Sequence, residues 1–353
     1  MVAGEFAVLE PHHHLAVMAV DRFVYADIRT SESNLLTLRD LGLERVSWEF
    51  EDGRIHIHTV DERIRFIEDA MRISCTYLSE QGISLHPFHL SIRSELDDES
   101  GIKYGLGSSA AVVSAATTAI LKHFLGEKAS EETIFKLAAT AHVKTQGNGS
   151  GADIAASVFG GLLEYTSFQA EWLLDAYLHS GSLTELLEME WVYYSSKPIQ
   201  MPADIHFCVG WTGKPASTSK LVDRILTLKG SHPEHFSHFL QESHLAVGSF
   251  LEGMEKGDKN LLFEGIKRNR KALATVGEQA STSIETPMLS RLCDIAEELG
   301  GAGKPSGAGG GVCGIAFMPS RETAVRLMEE WEKAGIKPLA IQPWISGGEL
   351  EHT

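Results

Sequence analysis

Residues 103–111 read KYGLGSSAA, a glycine turn that runs straight into the apolar, alanine-rich stretch 110–124. Glycine lets a backbone approach a ligand closely. Ser108 and Ser109 stand where the following helix begins. A helix N-terminus offers unpaired N–H groups and the positive end of the helix dipole, which suit phosphate. The serine hydroxyls can also reach a metal ion. The same residues equally suit a plain glycine turn with a serine N-cap ahead of a core helix. The stretch is not a Walker loop, because the GxxxxGK[ST] spacing is absent.

Upstream, residues 15–28 (LAVMAVDRFVYADI) are apolar and β-branched and read as one strand. Residues 54–59 (RIHIHT) alternate like a half-buried strand. Asp61 is placed as the N-cap of a helix over 62–81, where Ile64, Ile67, Met71, Ser74, Cys75 and Leu78 recur at helical spacing. Residues 88–93 alternate again, and the polar turn LDDESG leads to the glycine loop. Ser130 is the expected cap of a helix over 130–143. Past a proline-marked boundary at 197–202 come a strand at 205–211, helices at 233–256, 260–276 and 287–299, and a strand at 313–318. A helix at 321–334 and a strand at 338–344 close the chain. The pattern is mixed α+β in two units, 1–196 and 197–353, each with a glycine loop.

The 353 residues carry 43% hydrophobic and 22% charged side chains, an ordinary globular composition that excludes disorder, collagen and coiled coil as the main architecture. The net charge of −17 makes the chain a poor general binder of nucleic acid or anionic membrane. An anionic substrate therefore needs positive charge gathered locally. Cys75, Cys208, Cys293 and Cys313 form no CxxC pair and no zinc spacing, no signal peptide is evident, and no apolar run is read as bilayer-spanning. A reducing cytoplasm is the expected compartment.

Three further stretches stand out. Residues 300–314 (GGAGKPSGAGGGVCG) are either a flexible linker or a loop that brings backbone to a ligand; a helix and an apolar strand hold both ends, which favours the loop. In 146–161 (QGNGSGADIAASVFGG), Asp153 is either a helix N-cap or a buried catalytic carboxylate, and alone it reads as the cap. In 209–222 (VGWTGKPASTSKLV), Ser217, Thr218 and Ser219 cluster beside Lys214 and Lys220, to hold an anion or to cap a helix beginning near Ser217. His12, His13 and His14 cannot all face one metal from a regular element and read as solvated loop residues.

In this order the four elements resemble the GHMP kinases, a superfamily that includes galactokinase, homoserine kinase, mevalonate kinase and phosphomevalonate kinase. GLGSSAA resembles the second, ATP-phosphate motif, KPSGAGGGVCGIAF the third, and AGEFAVLEP (3–11) the end of the first. GWTGKPASTSKLV, AVDRF (19–23) and AHVKTQGNGSGAD point within the superfamily to the bacterial phosphomevalonate kinases. Mevalonate kinases have a metal-binding Glu eleven residues before the motif's Asp; here that place is His142. Two departures stand out. The first motif normally begins PGKLY or similar, whereas this sequence starts within it at Met1, and Val312 stands where Asp is usual.

The resemblance implies a two-domain α+β GHMP kinase fold, with a ribosomal protein S5 domain 2-like N-terminal domain and a ferredoxin-like C-terminal domain. It implies ATP-dependent phosphorylation of phosphomevalonate with Mg²⁺, by a cytoplasmic monomer or homodimer. Residues 105–110 (Gly105, Leu106, Gly107, Ser108, Ser109, Ala110) would cradle the nucleotide phosphates, with Ser109 on the metal. Ser306, Gly307, Ala308 and Gly309 would close over them. Lys103 and Asp153 are the expected catalytic residues, and Ser150, Ser217 and Thr218 the expected acceptor contacts. Another small-molecule GHMP kinase, or an inactive GHMP-fold binding protein, remains the alternative.

Overall fold

The computed structural model describes residues 1–96, 105–213, 218–311, 313–345 and 347–348, without the side chains of 218–220. The N-terminal unit holds β1 (His14–Met18), β2 (Val24–Thr30), β3 (Leu35–Leu38), β4 (Leu43–Glu51), β5 (Arg54–Ile57), α1 (Arg65–Glu80) and β6 (Phe88–Ser94). It continues with α2 (Ser108–Leu125), α3 (Glu131–Gln146), α4 (Ala152–Phe159), β7 (Leu162–Thr166), α5 (Ala170–His179), α6 (Leu183–Glu188) and β8 (Ser195–Ile199). One sheet runs β2-β6-β3-β4-β5, with β3 parallel to β6; a second runs β1-β7-β8. In β6, Phe88, Leu90 and Ile92 turn inward, Phe88 against Phe124 of α2 with ring centroids 5.7 Å apart, and Ile67, Met71, Cys75 and Leu78 of α1 form a helical stripe in the same core.

The C-terminal unit holds β9 (His206–Trp211), α7 (Thr218–Ser231), α8 (Pro233–Lys256), α9 (Lys259–Gln279), α10 (Pro287–Glu298), β10 (Ala302–Pro305), β11 (Cys313–Met318), α11 (Arg321–Lys333) and β12 (Lys337–Leu339). Its antiparallel sheet runs β10-β11-β9-β12, the ferredoxin-like order. Every residue of β11 is buried. Ala316 and Met318 face α10 and α11, whereas Cys313, Ile315 and Phe317 face a core shared with Val2, Ala3, Ala16 and Met18 of the N-terminal unit. The period-2 alternation of one strand thus feeds two cores.

Four expectations change. The strand expected over 15–28 is broken into β1 and β2, because residues 19–22 grip the returning C-terminal segment: Asp21 N–H donates to the Gln342 carbonyl at 2.9 Å, and Arg22 Nη2 to that of Ala340 at 2.6 Å. For the same reason the last strand ends at Leu339, and beyond it Val20 pairs with Pro343 as an isolated bridge. The boundary expected at 197–202 begins inside β8, so the 196/197 division cuts a strand; Pro198 is tolerated there because β8 is an edge strand of its sheet. Finally, α2 with the turn after it is long and apolar enough, by length and composition, to cross a membrane. Its apolar residues, among them Ala110, Val113, Ala116, Ile120 and Leu121, are buried in the N-terminal core.

The α8–α9 hairpin packs backbone on backbone. A Cβ at Gly265 would stand 2.6 Å from Phe250 N and 2.8 Å from the Ala246 carbonyl, whereas nothing lies within 4 Å of one at Gly248. Gly265→Ala should therefore destabilise by about 1–3 kcal/mol in urea unfolding. Gly248→Ala, in α8 itself, should stabilise by up to about 1 kcal/mol.

Candidate active site

Helix α2 opens at Ser108, with Gly107 in the left-handed region (φ 80°) at its N-cap and no side-chain cap. The serine-cap reading therefore falls away: Ser108 and Ser109 lie inside the first turn. The N–H groups of that turn have no intrahelical acceptor and point out of the helix end. Gly105 also has positive φ, at 73°. Leu106 packs against the shared core that contains Cys313 and Val2.

Asp153 meets this helix end. A Cβ at Gly107 would lie 3.2 Å from the Asp153 Cβ and 3.5 Å from its Oδ2. The expectation that Asp153 caps α4 is not met. Gly151 occupies the N-cap, and Asp153 sits in the first turn with Oδ1 accepting from the Ile154 N–H at 3.1 Å. The local reason is Gly151 itself: a Cβ there would stand 2.3 Å from a Phe168 ring atom, so only glycine fits against Phe168 and Tyr165. Ser150 is 7% exposed, and its carbonyl accepts from the Tyr165 hydroxyl at 2.6 Å.

His142, 4% exposed, brings its Nε2 to 3.2 Å from Ser109 Oγ and packs its ring on Phe66 at 5.0 Å. Burial holds its pKa below the ordinary imidazole value, although the Asp153 charge pulls the other way. A neutral imidazole thus fixes the hydroxyl of Ser109. Residue spacing gave no sign of this contact, because the partners stand 33 positions apart on different helices. Among the expected loop histidines, His14 instead opens β1 and pairs with Glu164 at 2.8 Å.

The second glycine loop leaves β10 at Pro305. Ser306 N–H donates to the Cys313 carbonyl and its Oγ to the Met1 carbonyl, both at 3.0 Å. Gly310 N–H donates to Ile284 O at 2.8 Å, and Thr212 Oγ1 donates to the Gly311 carbonyl. Gly307, at φ 65°, has open space where a Cβ would go. The Met1 amino group is buried within electrostatic reach of Glu5, Lys304, Asp153 and Cys313. Asp153, from the first loop's side, and the foot of the second loop therefore meet around the same N-terminal segment. Lys103, Ser217, Val312 and the Thr218 side chain lie outside the described residues; α7 begins at Thr218. A 250 Å³ cavity between α8 and α9, lined by His238, Phe239, Glu242 and Lys271 among others, contains none of the expected site residues.

Models of the GHMP kinases N terminal domain and of the GHMP kinases C terminal match residues 65–161 and 250–337. The chain is 35% identical, over 98% of its length and 95% of the relative's, to the phosphomevalonate kinase of Streptomyces sp. (strain CL190). The chain belongs to the GHMP kinases. Among solved structures it is similar to a Lin0012 protein from Listeria innocua (39% identity, TM-score 0.91, 98% of this chain and 95% of that one). It is also similar to Streptococcus pneumoniae phosphomevalonate kinase in complex with phosphomevalonate and AMPPNP (28% identity, TM-score 0.82, 97% and 96%).

For a GHMP kinase, the donor set at the α2 terminus fits a hard cation. Ser109 and Asp153 offer hard oxygen donors there. That suits Mg²⁺, which binds through one or two protein oxygens plus substrate phosphates. A carboxylate beside an anion-binding helix end would otherwise repel the phosphate.

Gly107→Ala forces a side chain into the left-handed region against Asp153. It should lower ATP turnover at least about tenfold, for a strain cost of about 1–2 kcal/mol. Steady-state kinetics and thermal unfolding measure the two effects separately. For His142, the folded pKa is depressed, so on acidification the unfolded chain takes up the proton first, near pH ~6.5. Stability that His142 contributes above that pH is lost as pH falls towards its folded value. In urea titrations, the stability margin of wild type over His142→Gln should shrink from pH 7.5 to 5; a constant margin would show that the imidazole is not held neutral.

Proposed function

We propose that this chain is a phosphomevalonate kinase, transferring the γ-phosphoryl group of ATP to the phosphate of (R)-5-phosphomevalonate to give 5-diphosphomevalonate and ADP, with Mg²⁺. The observation that carries the reading is the full-length likeness to the Streptomyces phosphomevalonate kinase. The meeting of Gly107, Asp153 and the 305–311 loop around the N-terminal segment supports it.

A phosphate monoester has a second pKa near ~6 and is mostly a dianion at neutral pH. Its oxygen attacks the γ-phosphorus as the bond to the β–γ bridging oxygen breaks, and ADP leaves. Such an acceptor needs little help from a base. The harder task is holding two polyanions together, so positioning and charge neutralisation dominate. Mg²⁺ would neutralise charge on the ATP phosphates, held by Ser109 and Asp153. Residues 105–110 cradle the nucleotide, Lys103 contacts phosphate oxygens, and Asp153 orients and balances charge rather than acting as an obligatory base. Ser306, Gly307, Ala308 and Gly309 close over the phosphates from the unit of residues 197–353, opposite the ATP-phosphate loop of residues 1–196. Ser150, Ser217 and Thr218 serve the acceptor. We place the enzyme in the cytoplasm as a monomer or homodimer; its net charge of −17 disfavours nucleic acid and anionic membrane as partners.

In a coupled ADP assay, phosphomevalonate should be turned over and mevalonate should not; turnover of mevalonate alone would overturn the acceptor assignment. Lys103→Ala should lower kcat/KM at least about a hundredfold, and Asp153→Asn only about tenfold. Equal losses, or a larger loss at Asp153, with the Mg²⁺ dependence of turnover unchanged, would overturn the base-free account.

A further inference from the structure

Lys304 and Glu5 are sealed from solvent, their side chains 0% and 1% exposed. One sits near the end of β10, just before the second glycine loop; the other sits in the N-terminal segment. Lys304 Nζ stands 2.5 Å from Glu5 Oε1 and 2.5 Å from the Pro305 carbonyl oxygen. The second carboxylate oxygen, Oε2, is buried without a hydrogen-bond partner among the described residues. Burying two charges costs several kcal/mol per ion, and apolar residues of the same volume usually hold a core at least as well. Packing alone therefore does not call for this pair. What an ammonium adds is registry: it ties one side-chain oxygen of the first segment and one main-chain oxygen of the loop to a single point.

From that point the loop has two fixed feet and a short crest, Gly307 and Ala308, the latter packed against the core that contains Phe6 and Ile284. The first foot is Pro305–Ser306, with Ser306 bonded to Cys313 and Met1. The second is Gly309–Gly310, where a Cβ on Gly309 would stand 2.5 Å from the Ile284 carbonyl and Gly310 N–H donates to that same oxygen. Gly307, between them, faces open space. Moving the first foot moves the crest relative to the N-terminal segment, beside which Asp153 lies.

We infer that the buried Lys304–Glu5 ion pair is a positioning device that sets the second glycine loop over the nucleotide phosphates, and so governs nucleotide affinity. The inference rests on the proposed reading of that loop as nucleotide-binding. The double variant Glu5→Gln/Lys304→Met removes both charges while keeping similar shapes. Its thermal midpoint should lie near or above that of the wild type, as for other neutralised buried pairs. Its KM for ATP and its Kd for AMPPNP, by titration calorimetry, should each rise at least about tenfold, with the KM for phosphomevalonate unchanged. A purely structural pair would move the midpoint and leave nucleotide affinity alone; a folded double variant with wild-type affinity for ATP and AMPPNP overturns the inference. Should that variant fail to fold, Lys304→Arg keeps the charge on a longer, planar head. It should raise the AMPPNP Kd in the same direction, and wild-type affinity there also overturns the inference. If the wild type binds AMPPNP but forms no ADP with phosphomevalonate, the acceptor assignment alone falls; if it binds no AMPPNP, both readings fall.

Discussion

β11 has no solvent-facing side, and that constraint organises the molecule. Its residues alternate between a core closed by α10 and α11 and a core closed by α8, α9 and the first residues of the chain. Because Val2, Ala3, Ala16 and Met18 share the second core with Ile315 and Phe317, the two units are not free bodies joined by a linker. The second glycine loop ends at Cys313 on this strand, and Leu106 of the first loop packs against the same core. Glycine-rich segments lose much conformational entropy on ordering. Here Leu106 of the first and Cys313 at the end of the second are fastened to a common apolar base.

The local electrostatics follow from the overall charge. A chain at −17 repels polyphosphate at long range, so attraction has to arise at contact distance. In the proposed reading the α2 terminus is its source, through main-chain N–H groups, which carry no mobile charge and lose no side-chain entropy. The C-terminal segment contributes in a different way. Through Asp21, Arg22 and the Val20–Pro343 bridge it returns to the N-terminal unit, which ties residues 340–343 to the body that carries the α2 terminus.

Elements set by their own periodicity were legible from the sequence. The helix of Pro233–Lys256 and the strand of Cys313–Met318 stand where composition and spacing place them. So do the Asp61 and Ser130 caps, whose side chains accept from the N–H groups of Arg63 and Thr133. What could not be read depends on partners distant in sequence. The break between β1 and β2 exists because residues some 320 positions later hydrogen-bond to Asp21. Asp153 loses the cap position because Phe168 and Tyr165 leave room only for glycine at 151. The Ser109–His142 contact joins two helices, and the Lys304–Glu5 pair joins residues 299 positions apart. Both lysine and glutamate lie inside stretches quoted for other reasons, and neither type signals burial; charged residues are buried almost only when paired.

The identity of residue 142 bears on which acceptor the site tolerates. A phosphate acceptor brings almost two more negative charges than an alcohol does, and they arrive beside the ATP phosphates. A carboxylate at position 142, against Ser109 and near Asp153, would add a further anion in a partly dry site where repulsion is weakly screened. A buried imidazole, held neutral by desolvation, keeps the hydrogen bond to Ser109 and adds no charge. A neutral partner for Ser109 is thus compatible with the anionic acceptor proposed above.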